Sequence, residues 1–217
     1  EIDFKKDIII QASLPQSHDS VNLGISVGPT PHLIEQANIV IAELNHNMPL
    51  TFGDSVIQTS KIDFAYESDS DLLFYSTGEG EERDFQIVNN VLNLIPEGAT
   101  VQIGIGGIPD RITEKIGLIN DVNIFTGIIS DGLIKFIESG RGQNKIVTGE
   151  IAGSSELYKK IHLNDQIELA RIEKTHNVLS LSKIKKFVSI NSTIEIDLAG
   201  QANGEVINGL QVSGVGG

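Results

Sequence analysis

An α/β fold with mainly parallel sheets is predicted by three features of this sequence. Strand-like apolar runs recur at 7–12, 21–27, 38–44, 62–66, 100–105, 122–125, 145–152 and 187–191. Helix-like stretches at 34–37, 111–118, 133–138 and 155–161 fall between them, and such alternation is the signature of strands joined by helical crossovers. The third feature is a glycine turn, V-Q-I-G-I-G-G-I-P-D from Val101 to Asp110, placed where a strand passes into a helix. The stretch 85–95 carries Phe85, Val88, Leu92 and Ile95 at helical spacing and closes at Pro96 and Gly98, so it too is expected to be a helix.

Length and composition bound the function. A chain of 217 residues buries roughly 70% of its unfolded surface and has ample material for a core. Sixteen Lys and Arg against 29 Asp and Glu give a net charge of −13, which argues against nucleic acid or an anionic membrane as partner. An anionic ligand would need backbone N–H groups and a few local cations. No cysteine is present, so disulfides, thiolate nucleophiles and zinc–thiolate sites are excluded. No apolar run approaches the ~20 residues of a membrane span, and the acidic stretch 1–7 lacks the basic start of a signal peptide. A soluble, cytoplasmic protein is expected.

The alternation breaks between 67 and 84, where the acidic sequence E-S-D-S-D-L-L-F-Y-S-T-G-E-G-E-E-R-D reads as a linker. Residues 1–75 and 85–217 then form two pieces joined by 76–84. Neither piece reads as complete, so exposed apolar surface or unpaired sheet edges are expected.

A second glycine turn, S-G-V-G-G, occupies Ser213 to Gly217. Backbone without side chains at Gly104, Gly106 and Gly107, and again at Gly214, Gly216 and Gly217, can approach a flat or anionic ligand closely. The first turn also suits a plain strand-to-helix connection with Pro109 in the first helical turn.

V-S-I-N-S-T-I-E-I-D-L-A-G-Q from Val188 to Gln201, followed by S-G-V-G-G, resembles the acetyl-CoA hydrolase/CoA-transferase family. Its members include 4-hydroxybutyrate, butyrate and acetate CoA-transferases. I-G-I-G-G-I-P-D, I-A-E-L-N-H-N-M-P-L-T-F-G-D-S (Ile41 to Ser55) and L-G-I-S-V (Leu23 to Val27) match in the same order. The resemblance implies a CoA-transferase-type fold with two similar α/β domains. Residues 1–75 would correspond to the end of the first domain and 85–217 to the start of the second. It also implies an acyl-CoA thioester and a small carboxylate as substrates, no further cofactor, no metal, and a homo-oligomer.

The family's chemistry uses a glutamate that attacks the thioester carbonyl, giving an anhydride and then a glutamyl-CoA thioester. By resemblance, Asn191 and the glycine-turn amides lie near that carbonyl, where Asn191 would be an oxyanion donor. Asn191 equally suits a buried amide tying two strands together. At the place of the family's glutamate this chain has Gly127, within I-F-T-G-I-I-S-D-G-L, and glycine forms no adduct. Three readings follow: another carboxylate acts, with Glu150 and Glu195 as candidates; the site activates water; or the protein binds acyl-CoA without turnover, as a regulatory protein does. A further alternative is a structural remnant that only pairs with another subunit. Glu195 and Asp197 alternate with Ile194, Ile196 and Leu198, which favours a half-exposed strand with a solvated acidic face.

His18, His32, His46, His162 and His176 are scattered without zinc-ligand spacing, and surface or capping roles are expected for them. Lys159 and Lys160, with Lys183, Lys185 and Lys186, read as solvated faces or as a patch steering the phosphates of CoA.

Overall fold

The computed structural model describes residues 6–78, 80–139 and 145–214. The first part of the chain supplies β1 (Ile8–Ala12), α1 (Thr30–Gln36), β2 (Val40–Asn45), β3 (Phe52–Gly53) and β4 (Phe64–Ser68). Strands β1, β2 and β4 form a three-stranded parallel sheet in that order, with Ile10 opposite Ala42 and Ala42 opposite Ala65. The second part supplies α2 (Glu82–Leu92), β5 (Thr100–Ile103), α3 (Gly107–Ile116), β6 (Asn123–Ile129), α4 (Gly132–Glu138), β7 (Ile146–Ile151), α5 (Ser155–Ile161) and β8 (Ile167–Leu169). Two short helices, α6 (Ile172–Thr175) and α7 (Val178–Leu181), then lead to β9 (Phe187–Ile190). The larger sheet is parallel throughout, in the order β9-β5-β6-β7-β8-β3. Its outermost strand, β3, comes from the first part of the chain, so one sheet spans both parts.

Parallel strands covered on both faces read as largely apolar runs, and β5 and β7 do so apart from Gln102 in the first and Thr148 to Glu150 in the second. Val101, Ile103, Ile146, Val147 and Ile151 are all buried, as are Ile112 and Ile116 of α3 and Leu157 and Ile161 of α5, which pack in the same core. Helix starts follow local chemistry. Glu81 and Asp84 form a reciprocal capping box at α2, and Ser154 caps α5 by accepting the Leu157 N–H. Gly106 enters α3 with φ of 129°, a conformation that favours glycine. Pro109 follows in the first turn, where its missing N–H leaves no intrahelical bond unmade. Among the described residues, no helix is long and apolar enough to cross a membrane.

Three expectations need correction. The run at 21–27 is a strand only over Ser20–Asn22. Gly24, at φ of +61°, turns the chain, and Ile25 to Gly28 cross the end of β7 instead, with Ile151 N–H donating to Ile25 O and Val27 and Gly28 N–H donating to Gly149 O. The stretch 194–198 holds only a two-residue strand, Glu195–Ile196, paired with Ala202–Asn203. Asp197 accepts from the Ala199 and Gln201 N–H groups and folds the chain back. The acidic segment before α2 is packed rather than free: Leu72 is buried, the Tyr158 hydroxyl donates to Leu73 O at 2.7 Å, and the Phe74 ring stacks near Tyr158. Helix α2 also begins inside the expected linker, at Glu82. The expected exposed apolar surface is present at Ile9, Phe64, Tyr66, Leu198 and Leu210.

The connection after β6 hangs on one carboxyl group. Asp110 Oδ1, in the first turn of α3, accepts from Ser130 Oγ at 2.6 Å and Gly132 N–H at 2.8 Å, while Oδ2 accepts from Thr77 Oγ1 at 3.0 Å. Gly132 touches the same group so closely that a Cβ there would overlap the Asp110 carbonyl oxygen. Replacing Asp110 by alanine strands buried donors on two loops. D110A is expected to lower unfolding stability by about 2–4 kcal/mol in denaturant titration, whereas Gln86→Ala, at an exposed position of α2, should change it little.

Candidate active site

Parallel α/β sheets bind ligands beyond the carboxyl ends of their strands, where loops diverge. The larger cavity, about 900 Å³, lies there. Strand β5 contributes Gln102 and Ile103, with Gly104 and Ile105 following it. Strand β6 contributes Thr126, Gly127 and Ile128, and β7 contributes Gly149 and Glu150. The crossing segment brings Gly28 and Pro29, α6 brings Ile172 and Thr175 with His176 at its end, and the chain after β9 closes one side from Asn191 to Gly214. A smaller cavity of about 340 Å³, lined by His46, Met48, Lys159 and His162 among others, lies apart from these strand ends and contains none of the glycines.

The predicted residues are distributed unevenly around it. Gly104 and Gly214 line the cavity, and a Cβ on Gly104 would sit 3.2 Å from Asn191 Oδ1. Asn191 lines it too, beside the end of β5, and its Nδ2 donates to Ser189 Oγ at 3.2 Å. Gly106 and Gly107 are not in the lining: Gly106 turns the chain into α3, and Gly107 is held under Arg111, whose Nη1 donates to Gly107 O at 2.6 Å. Gly216 and Gly217 lie outside the described residues. Glu195 is exposed on the ribbon after β9, where its Oε2 accepts from Asn203 Nδ2, and it does not reach the cavity. Lys160 is engaged by Glu138 and Lys186 by the Glu97 carbonyl.

The space beside Gly127 is taken by a neighbouring side chain. A Cβ there would come 2.6 Å from Cε1 and 2.9 Å from Nε2 of His176, so the imidazole occupies the space beside this glycine. The ring is oriented by a 2.9 Å contact between its Nδ1 and Thr175 Oγ1. Sequence reasoning placed His176 among surface and capping residues. It does stand at the C-cap of α6, yet only the chain path from β8 back across the sheet brings its ring to Gly127.

Glu150 is the lining carboxyl fixed on the sheet. It is opposite Ile128 in the β6–β7 register and bridges Ser26 on the crossing segment. Burial pushes its carboxyl from 4.5 up to about 7, and a hydrogen bond with the Ser26 side chain works in the opposite direction. A Cβ on Gly28 would sit 2.5 Å from Glu150 Oε1; glycine there leaves room for the carboxyl. Gly28 and Ser26 were not singled out from sequence, although L-G-I-S-V-G contains both.

The chain matches the family model for the acetyl-CoA hydrolase/transferase N-terminal domain over residues 3–73 and that for the corresponding C-terminal domain over residues 153–217. It is 36% identical to a 4-hydroxybutyrate coenzyme A transferase of Clostridium kluyveri over 217 residues, covering 96% of this chain and 51% of that protein. A butyryl-CoA:acetate CoA-transferase of Anaerostipes caccae is 28% identical and covers 100% of this chain and 52% of its own length. The chain thus spans about half the length of these curated relatives. Among solved structures, a 4-hydroxybutyrate CoA-transferase from Porphyromonas gingivalis superposes with a TM-score of 0.83 at 33% identity, over 91% of this chain and 52% of that one. RipA from Yersinia pestis, with a TM-score of 0.88 at 24% identity over 95% and 49%, shares the fold.

Two measurements check this geometry. Gly127→Ala is expected to swing the His176 ring, read as a shifted imidazole C–H signal in NMR, with stability lowered by about 1 kcal/mol or less because the ring is exposed and can move. An unchanged His176 signal would contradict the contact. For Glu150, the folded-state value is raised, so the native protein holds its proton to higher pH than the unfolded chain. Stability is then lost as pH rises from about 4.5 to about 7 and is level above that. Relative to Glu150→Gln, wild type should lose up to about 3 kcal/mol across this window, measured by unfolding at pH 4.5 and pH 8.

Proposed function

Because this chain belongs to the acetyl-CoA hydrolase/transferase family, we propose that its strand-end cavity takes the thioester end of a short-chain acyl-CoA and cleaves it, passing CoA to a carboxylate or the acyl group to water. The observation that carries this reading is the convergence of Gly104, Gly127, Gly149 and Asn191 on one cavity that also holds the Glu150 carboxyl. A carbonyl seated there would meet small-residue backbone, with the Asn191 amide as oxyanion donor. One such donor is worth about 3 kcal/mol in acyl transfer. The relatives named for 4-hydroxybutyrate and butyryl groups support a short acyl chain, and with Gly127 in the lining, no side chain from that position takes up acyl space.

A second reading rests on Gly127 itself. With glycine in place of the family's glutamate and the His176 ring against it, the cavity would hold acyl-CoA without turning it over, as a binding or regulatory protein does.

The two readings separate on incubation of the full-length protein with butyryl-CoA, with and without acetate, following all CoA species by liquid chromatography and mass spectrometry. Acetyl-CoA with acetate, or free CoA without it, is the expected outcome. Unchanged butyryl-CoA together with saturable CoA binding would leave the non-catalytic reading standing.

A further inference from the structure

We propose that Glu150 is the general base of this site and commits it to water, making the protein a thioester hydrolase whose working carboxyl sits on β7 rather than β6. The inference rests on the acyl-CoA reading above and adds the acceptor and the residue.

Three observations carry it. First, the β6 position is unavailable: Gly127 bears no carboxyl, and His176 stands 2.6 Å from where its Cβ would be. A glutamyl adduct cannot form at that residue. Second, Glu150 lies on the neighbouring strand, one register step along, since it faces Ile128, the residue after Gly127. Its surroundings are shaped for a carboxyl: Gly28 leaves the space beside Oε1, Gly149 adjoins it in the chain, and the backbone bridge to Ser26 holds the crossing segment against it. Third, among the described residues no Lys, Arg or His forms an ion pair with it. A carboxyl kept in a largely buried place without a cation is costly for a purely structural part. The other titratable groups lining the cavity are His176 from α6 and Glu205 from the ribbon after β9, so Glu150 is the carboxyl that the sheet itself holds in place. Its ionisation near neutrality suits a group that must both take and return a proton.

The step balances without a further reactant. The Glu150 carboxylate takes a proton from water as the water oxygen bonds to the thioester carbonyl carbon, and the oxyanion forms against the Asn191 side of the cavity. The carbonyl then re-forms, the C–S bond breaks with its electron pair going to sulfur, and the Glu150 proton passes to the CoA thiolate. The products are the free acid and CoA.

The test uses the full-length protein and butyryl-CoA in ¹⁸O-water under single-turnover conditions, with and without acetate. We expect free CoA in both conditions, butyrate labelled in the first turnover, and a loss of at least about 100-fold in CoA release for Glu150→Gln. Three results would overturn the base role while leaving the thioester reading intact. These are acetyl-CoA formed from acetate, unlabelled butyrate in the first turnover with a CoA adduct on the peptide containing residue 150, or wild-type rates in Glu150→Gln. The isotope result comes from wild type and so does not depend on how well that variant folds. Absence of any cleavage by wild type would overturn both readings.

Discussion

The strand-end cavity depends on one buried carboxyl. Asp110 stands in the first turn of α3 and accepts hydrogen bonds from Ser130 and Gly132, which follow β6, and from Thr77, which belongs to the segment crossing from the first part of the chain. Parallel strands end in loops that the sheet does not itself constrain, so their positions must be set by side chains. Asp131, next in that loop, extends the arrangement by accepting from the Ser154 N–H and hydroxyl at the start of α5. The ends of β6 and β7, and with them Gly127 and Glu150, are thereby fixed relative to α3 and α5.

Around that frame the chain replaces bulk with glycine wherever two segments meet. Gly149 sits against Gly28 and the Gly127 carbonyl, Gly28 against Glu150, and Gly127 against His176. The gain is close approach of backbone to backbone and a cavity floor without side chains. The corresponding constraint is that a group added at one of these positions has to displace a named neighbour. A side chain at 127 and the present position of the His176 ring exclude one another, which ties the glycine of β6 to the path of α6.

The electrostatics fit the same economy. The chain carries a net charge of −13, and the cationic side chains nearest the expected phosphate-steering patches are partly engaged, Lys160 with Glu138 and Lys186 with a carbonyl. Glu150 keeps its proton to about pH 7 because burial penalises its charge and, among the described residues, no ion pair offsets it.

Sequence alone determined the alternating α/β character, because buried parallel strands such as β5 and β7 are written as short runs dominated by branched apolar residues, Val101 and Ile103 or Ile146, Val147 and Ile151, and α5 as a capped helix with Leu157 and Ile161 on its buried side. It also determined the family resemblance and the glycine at 127, since both are properties of residue order. The tertiary structure decided what surrounds that glycine. His176 lies 49 positions away in the chain and Gly28 lies 122 positions before Glu150, and no local pattern links residues so far apart. Short elements were also hidden: β3, β8 and the two-residue strands after β9 are too brief for a periodicity to register, and they form because a neighbouring strand offers unpaired N–H and C=O groups. The turn at Gly24 that carries Ile25 to Gly28 across β7 is of the same kind, since an apolar run like 21–27 reads as one strand until Gly24 and the end of β7 supply a different partner.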